Sequence, residues 1–352
     1  MSDDETTAST TPTSTPTVTF TPNTTEKIQS AIKSLSSIIT TIPSTTTNSL
    51  SILNDTKTYS QIATLLRQPN SGAGDNNLCR WLYDTFQSNV SDLQLIVLHF
   101  LPVIAGVYLS RVADRKPQAG FEAVLLALYA HETTSRAGEA VTITIPDISH
   151  PSVYHESKVV INKNNSTELN VVVVSPLLEP HGTVRSTRRA RIVAVAFELF
   201  YSKISQIPIS SKIDFCKFCK IWAGQNGDMY TNFEEEKEDE DDDEENDDEN
   251  EEVVEEGESN EEFVKKGRVP MPWELLQAIL RILGHCLLGP NNKDTMLFET
   301  ASETCRCLFA RAMHDVNPKA ILAMRSLLRL SKNVVVDDFD PTELPKTDVI
   351  TL

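Results

Sequence analysis

Leu93 to Ser110 reads LQLIVLHFLPVIAGVYLS, 18 residues without a formal charge, closed by Asp92 on one side and Arg111 on the other. A run of that length is close to the shortest that spans a bilayer. Gln94, His99, Pro102 and Gly106 interrupt it, however, and its flanks lack the aromatic and basic residues that seat a spanning helix. The better reading is a helix buried in a protein core and kinked at Pro102, with an integral membrane protein using residues 93–110 as a weaker alternative. The neighbouring sequence agrees. Between Asn77 and Thr134, apolar faces recur as Trp81, Leu82 and Phe86, then Leu95, Leu98 and Leu101, then Val124, Leu125, Leu128 and Tyr129. Lys116-Pro117-Gln118 separates the last two helices. Helices so closely spaced pack antiparallel, which predicts a mainly α, antiparallel helical domain.

Working outward, Ile28, Ile32, Leu35 and Ile39 recur at steps of three and four, giving a helix from Glu26 to Ile42 that Pro43 ends. A second helix is predicted from Thr46 to Gln68, before the turn Pro69-Asn70-Ser71-Gly72. Beyond Gly138 the texture changes. Val141 to Ile145 alternates with period two and Val171 to Val174 is a β-branched run, so a short extended excursion, one small strand pair near residues 140–175, is expected on the helical domain. Helix returns at Thr187, with Ile192, Val193, Ala196, Phe197, Phe200 and Ile204 on one face, and again from Ser210 to Ala223. Three more helices follow: Pro272 to Leu288, Asp294 to His314, and one opened by Asn317-Pro318 that runs to Ser331.

The 352 residues carry 50 Asp+Glu against 32 Lys+Arg, a formal net charge of −18. Glu234 to Glu262 alone holds 21 acids and one base, Lys237, which leaves 29 acids and 31 bases for everything else. The body is nearly neutral, and the basic excess of a phosphate-binding surface is missing, so no nucleic-acid partner is expected. Residues 1–25, with 11 threonines and three prolines, read as a disordered tail. The domain plan is then a helical domain in two parts, 26–233 and 263–332, around a disordered acidic insert at 234–262, with an acidic flexible tail at 333–352. The first basic residue is Lys27 and acids stand at Asp3, Asp4 and Glu5, so no secretory signal is read. The six cysteines are accordingly expected as reduced, mostly buried thiols of a cytosolic protein.

Nothing converges on catalysis. Cys216-x-x-Cys219 lacks a second pair of zinc ligands at suitable spacing, and His131-Glu132 and His155-Glu156 lack the second histidine of a zinc-protease helix. Gly72-Ala73-Gly74 lacks the third glycine and the preceding strand of a dinucleotide site. No catalytic residue, metal or cofactor is assigned. The alternative is a soluble helical enzyme whose active site gathers His99, His131 or His155 with carboxylates in a pocket. Two groups are candidates for partner contact. Arg185, Arg188, Arg189 and Arg191 form the densest basic cluster, suited to anionic lipid headgroups or an acidic partner, or else to a solvated helix start. Tyr154, His155 and Glu156 offer an aromatic anchor, or else brace an extended connection together with Pro151.

Leu101-Pro102-Val103-Ile104-Ala105-Gly106-Val107-Tyr108-Leu109-Ser110-Arg111, Gly120-Phe121-Glu122-Ala123-Val124-Leu125-Leu126-Ala127-Leu128-Tyr129 and Ile145-Pro146-Asp147-Ile148-Ser149-His150-Pro151-Ser152-Val153-Tyr154-His155-Glu156 resemble the hyccin family in order and spacing. Arg281-Ile282-Leu283-Gly284-His285-Cys286-Leu287-Leu288 and Ala320-Ile321-Leu322-Ala323-Met324-Arg325-Ser326-Leu327 look like its plant branch. The resemblance covers about residues 78–332, apart from the acidic insert, and is most specific at Pro-Ser-x-Tyr-His-Glu. It implies a non-catalytic, mostly helical subunit that clamps onto a helical-repeat, tetratricopeptide-like scaffold protein. That assembly holds a phosphatidylinositol 4-kinase at the plasma membrane, where phosphatidylinositol 4-phosphate is made. The implied location is the cytosol and the cytoplasmic face of that membrane, with peripheral association through the complex. The family supplies no catalytic residues to carry over, and the acidic insert departs from the animal pattern.

Overall fold

Several helices begin where a side chain accepts from their free backbone N–H groups. In the computed structural model, which describes residues 22–39, 55–113, 118–146, 169–180, 184–185, 188–224, 272–290 and 294–336, α1 (Pro22–Ile38) opens on a proline. It is four residues longer at its start than the apolar periodicity required. α2 (Thr56–Arg67) is capped by Asp55, whose carboxylate accepts from the backbone N–H groups of Lys57 and Thr58 at 3.1 and 3.3 Å. Asp55 is extended, so this helix starts at Thr56 and not at Thr46; residues 46–54 lie outside the described residues. α3 (Asn77–Gln87) is capped by Asn76, which accepts from Cys79 N–H at 3.0 Å.

The uncharged stretch folds as two helices, α4 (Ser91–His99) and α5 (Leu101–Ala113), bent by 46°. The break is at Phe100, just ahead of Pro102, which falls in the first turn of α5 where its missing N–H costs nothing. Among the described residues no single helix is long and apolar enough to cross a membrane; only this bent pair reaches the length, and its apolar side chains from Leu93 to Tyr108 are buried in the protein, Val107 only in part. α6 (Ala119–Ser135) follows, then strands β1 (Val141–Pro146) and β2 (Leu169–Ser175), which pair antiparallel with Ile143 opposite Val172. The remaining elements are α7 (Arg189–Ser202), a 3-10 turn at Ile204–Gln206, α8 (Ile209–Ala223), α9 (Trp273–Leu288), α10 (Thr295–His314) and α11 (Pro318–Val336). Pro272 proves to be the extended residue before α9, and α11 runs five residues beyond the predicted Ser331. Asn317 caps α11 as predicted, accepting from Ala320 N–H at 3.3 Å.

The mainly α fold and the single strand pair thus follow the sequence reading. α7 is the pivot. Ile192 to Phe197, Leu199 and Phe200 are all buried, and a helix apolar on every side belongs in the centre. It packs against α5, α6 and α9, while α8 lies between α5 and α10, and α11 covers α9 and α10. Phe197, Phe200, Phe215, Phe218 and Trp222 form a ring cluster between α7 and α8, with centroids 5.3 to 6.5 Å apart.

Three buried arginines direct guanidinium donors at backbone carbonyls where elements end. Arg111 holds the carbonyls of Arg67, at 3.1 Å, Gln68 and Ser71 behind α2. Arg311 reaches the Ala223 carbonyl at the end of α8, at 3.1 Å, and Arg191 holds the chain after β2. A fixed fork of five donors suits such frayed ends, where several carbonyls converge. Gly72, of the Gly72-Ala73-Gly74 run, has a packing role. Gly72 adopts φ +86°, and its carbonyl accepts from Gly120 N–H at 2.8 Å, while a Cβ on Gly120 would sit 2.4 Å from the Ala73 carbonyl oxygen.

Candidate interaction surface

β1 and β2 contain no charged residue, and among the described residues they form a sheet of two strands only. The register sets Ile143 against Val172 and, by alternation, Val141 and Ile145 on that same face; Val171 and Val173 share the other face with Thr144 and Thr142. All six aliphatic side chains are 40% or more exposed. An apolar ribbon with water on both faces is unusual, because a lone two-stranded sheet is marginal in water and its edges are open to pairing.

The ribbon is anchored firmly at its base. Arg136, just after α6, donates to Ser175 Oγ at 2.9 Å and lies 3.5 Å from Glu198 of α7. Arg281 of α9 approaches the same Glu198 at 3.5 Å, and its guanidinium sits over the Tyr201 ring. Leu178 is buried, and its N–H donates to the Gly138 carbonyl at 2.8 Å; Glu179 N–H donates to Tyr129 Oη at 3.1 Å. Arg191 Nη2 donates to the carbonyls of Pro176 and Leu177 at 3.0 and 3.2 Å. A recess of about 450 Å³ opens there, lined by Pro176, Leu177, Arg188, Ala190, Arg191 and Glu274.

The arginine cluster is therefore split by its own helix. Arg191 is buried and serves the ribbon base, with Glu274 4.0 Å away. Arg189 lies 3.8 Å from Glu122, and Arg188 pairs with Glu179. Arg185 is exposed. Acids of the folded body face three of the four, which leaves Arg185 and the outer side of Arg188 facing water. Tyr154, His155 and Glu156 lie outside the described residues, as do the acidic segment and residues 1–21.

The groups weighed for chemistry lie in the core, where Cys216, Cys219, Cys286 and Cys305 neighbour one another. All six cysteines are buried thiols; burial pushes Cys305 up to about 12 and Cys79 up to about 11 and raises Cys219, while a hydrogen bond with Cys286, followed by burial, raises Cys216. Among the described residues no three His, Cys, Asp or Glu side chains converge to hold a metal ion. His99 stacks on Tyr59 with centroids 4.2 Å apart, and its Nε2 is 3.1 Å from Ser210 Oγ; burial lowers it to about 3. His131 meets the edge of Phe86 at 5.3 Å, and His155 is outside the described residues. Lys212, which sequence reading passed over, is fully buried on α8, and its Nζ has no hydrogen-bond partner among the described residues. Burial lowers its pKa; burial also lowers that of His285, with the Lys212 charge adding to it. Its spacing from Phe215, Cys216 and Cys219, three, four and seven residues on, marks the buried face in the sequence itself.

An exposed apolar ribbon of this kind suits assembly with another surface. The Hyccin family model matches residues 43–341, a span that contains every element from α2 to α11, both strands and the segment between them. With so much of one continuous helical body matched, the chain belongs to the hyccin family.

Proposed function

We propose that this protein is a non-catalytic subunit that clamps onto a helical-repeat scaffold protein and so stabilises and helps localise a phosphatidylinositol 4-kinase complex at the cytoplasmic face of the plasma membrane, supporting phosphatidylinositol 4-phosphate synthesis. Membership of the hyccin family carries the general part, an accessory role in a phosphatidylinositol 4-kinase complex. The plasma membrane, the tetratricopeptide-like scaffold and the lack of a reaction of its own are the finer parts of the proposal. The observation that supports the reading best is the extent of the family match, residues 43–341. A body whose charge is nearly balanced outside one acidic segment adds to it, since such a body is not repelled by an anionic membrane to which partners bring it.

Isolation of the tagged full chain from cells, with mass spectrometry of what accompanies it, tests the partners. A phosphatidylinositol 4-kinase and a helical-repeat protein should co-isolate in comparable amounts. Removing the chain should lower the kinase found at the plasma membrane and leave turnover per kinase molecule unchanged. Absence of both proteins, together with unaltered kinase recruitment, would overturn the reading.

A further inference from the structure

We propose that the β1–β2 ribbon is the docking element of this subunit and inserts between the walls of an uncharged, apolar cleft on the scaffold protein. This rests on the accessory-subunit reading above and names the surface through which it works.

Three observations select a cleft on a different protein as the occupant. The first is charge: neither strand contains an ionisable residue, so a complementary surface is neutral and offers aliphatic or aromatic side chains. The second is that both faces expose aliphatic side chains, Val141, Ile143, Ile145 and Val172 on one and Val171 and Val173 beside Thr142 and Thr144 on the other, each of the six aliphatic ones 40% or more exposed. A flat partner surface would cover one face and leave the other wet. The third is area. The six side chains leave on the order of 500 Å² of apolar surface in water, large for a patch on a monomer. A symmetric pair of ribbons packed face to face would cover only about 300 Å² per copy, well short of the roughly 800 Å² per partner of a standard interface. Gripping both faces, together with Leu177 at 71% exposure beside the ribbon base, comes much closer. The anchoring of that base by Arg136 and Arg191 sets the ribbon's direction before binding, which lowers the ordering penalty.

The test titrates the purified full chain against the purified scaffold protein, with Ile143→Asp, Val172→Asp and the milder Ile143→Thr, which keeps a β-branched residue in the strand. Leu322→Asp, at an exposed leucine on α11, is the control. The aspartate variants should bind at least ~30-fold more weakly, because each buries an unpaired carboxylate. Ile143→Thr should lose a smaller factor, the control should stay within threefold, and melting temperatures should stay within a few degrees of the parent. Equal binding by all the ribbon variants would overturn the docking role and leave the accessory-subunit reading standing. A parent chain that fails to bind would overturn both. Sedimentation velocity of the chain alone covers the remaining occupant: a dimer dissolved by Ile143→Asp would assign the ribbon to a second copy and overturn the proposal.

Discussion

Replacing Arg191 with methionine keeps the apolar stem of the side chain and deletes its guanidinium, which isolates the part that holds the ribbon base. Nη2 donates to the carbonyls of Pro176 and Leu177 at 3.0 and 3.2 Å, and Nη1 lies 4.0 Å from Glu274. A hydrogen bond from a charged donor contributes roughly 1.5–3 kcal/mol, but these two share one nitrogen and do not add fully. The Glu274 carboxylate is well exposed, so at that separation it adds less than about 1 kcal/mol. Water in the neighbouring recess can solvate the freed carbonyls, which limits the penalty for leaving them unmatched. The expected loss is about 2–3 kcal/mol, concentrated on residues 176–180. Native-state hydrogen exchange reads this directly. The Leu178 N–H, bonded to the Gly138 carbonyl at 2.8 Å, should exchange roughly 30–150-fold faster in the variant, and the Glu179 N–H should follow it. Gly120 N–H, bonded to Gly72 on the far side of α6, is the internal reference. Acceleration at Leu178 below about threefold, with an unchanged melting temperature, would refute the clamp.

Arg111→Ala strips the carbonyls behind α2 of their buried donor, at a loss of about 3 kcal/mol, and should lower the melting temperature by roughly 6–12 °C in calorimetry. Gly120→Ala drives a Cβ to 2.4 Å from the Ala73 carbonyl oxygen and 2.9 Å from Cys79 Cβ; the oxygen belongs to backbone and cannot swing aside. Urea unfolding should show a loss of about 1–3 kcal/mol, larger than the gain in helix propensity from replacing glycine. His99 stays neutral when folded down to about pH 3, whereas the unfolded chain protonates it below about 6.5. Its contribution is therefore complete above pH 6.5 and is lost as the pH falls from there towards 3. Between pH 7.5 and 5 the parent should lose about 2 kcal/mol that His99→Phe does not, and parallel urea midpoints for the two proteins would count against this.

Spacing in the sequence was enough to place most of the helices, because an apolar residue every third or fourth position leaves few other ways to bury a face. Ile28, Ile32, Leu35 and Ile39 are all buried at those steps. Two of the misplaced features had local causes that periodicity does not sense. The helix predicted from Thr46 opens at Thr56, because Asp55 is extended and makes the cap bonds. Arg191 was grouped with its neighbours as surface charge, yet alternating positions on a helix face opposite ways, and one turn carries it inside. The strands were legible from the alternation of Val141 to Ile145. Their exposure was not, since period two fixes which residues share a face and is silent on what covers it. The arginine candidates straddle both lessons: Arg188, Arg189 and Arg191 face acids contributed by α6, α9 and the segment after β2, and such long-range neutralisation leaves no trace in local composition.

The ribbon also bears on how much of this protein a cell can keep. A chain produced in excess of its partners retains four valines in a row on a strand that, among the described residues, has one neighbour only, the pattern that templates intermolecular pairing. If the scaffold's cleft is what covers that strand, unassembled copies are orphan subunits with a built-in degradation signal, and abundance follows partner supply even though the helical body is itself well packed. Stoichiometry in the complex would then be enforced after translation, by the lifetime of whatever remains unpaired.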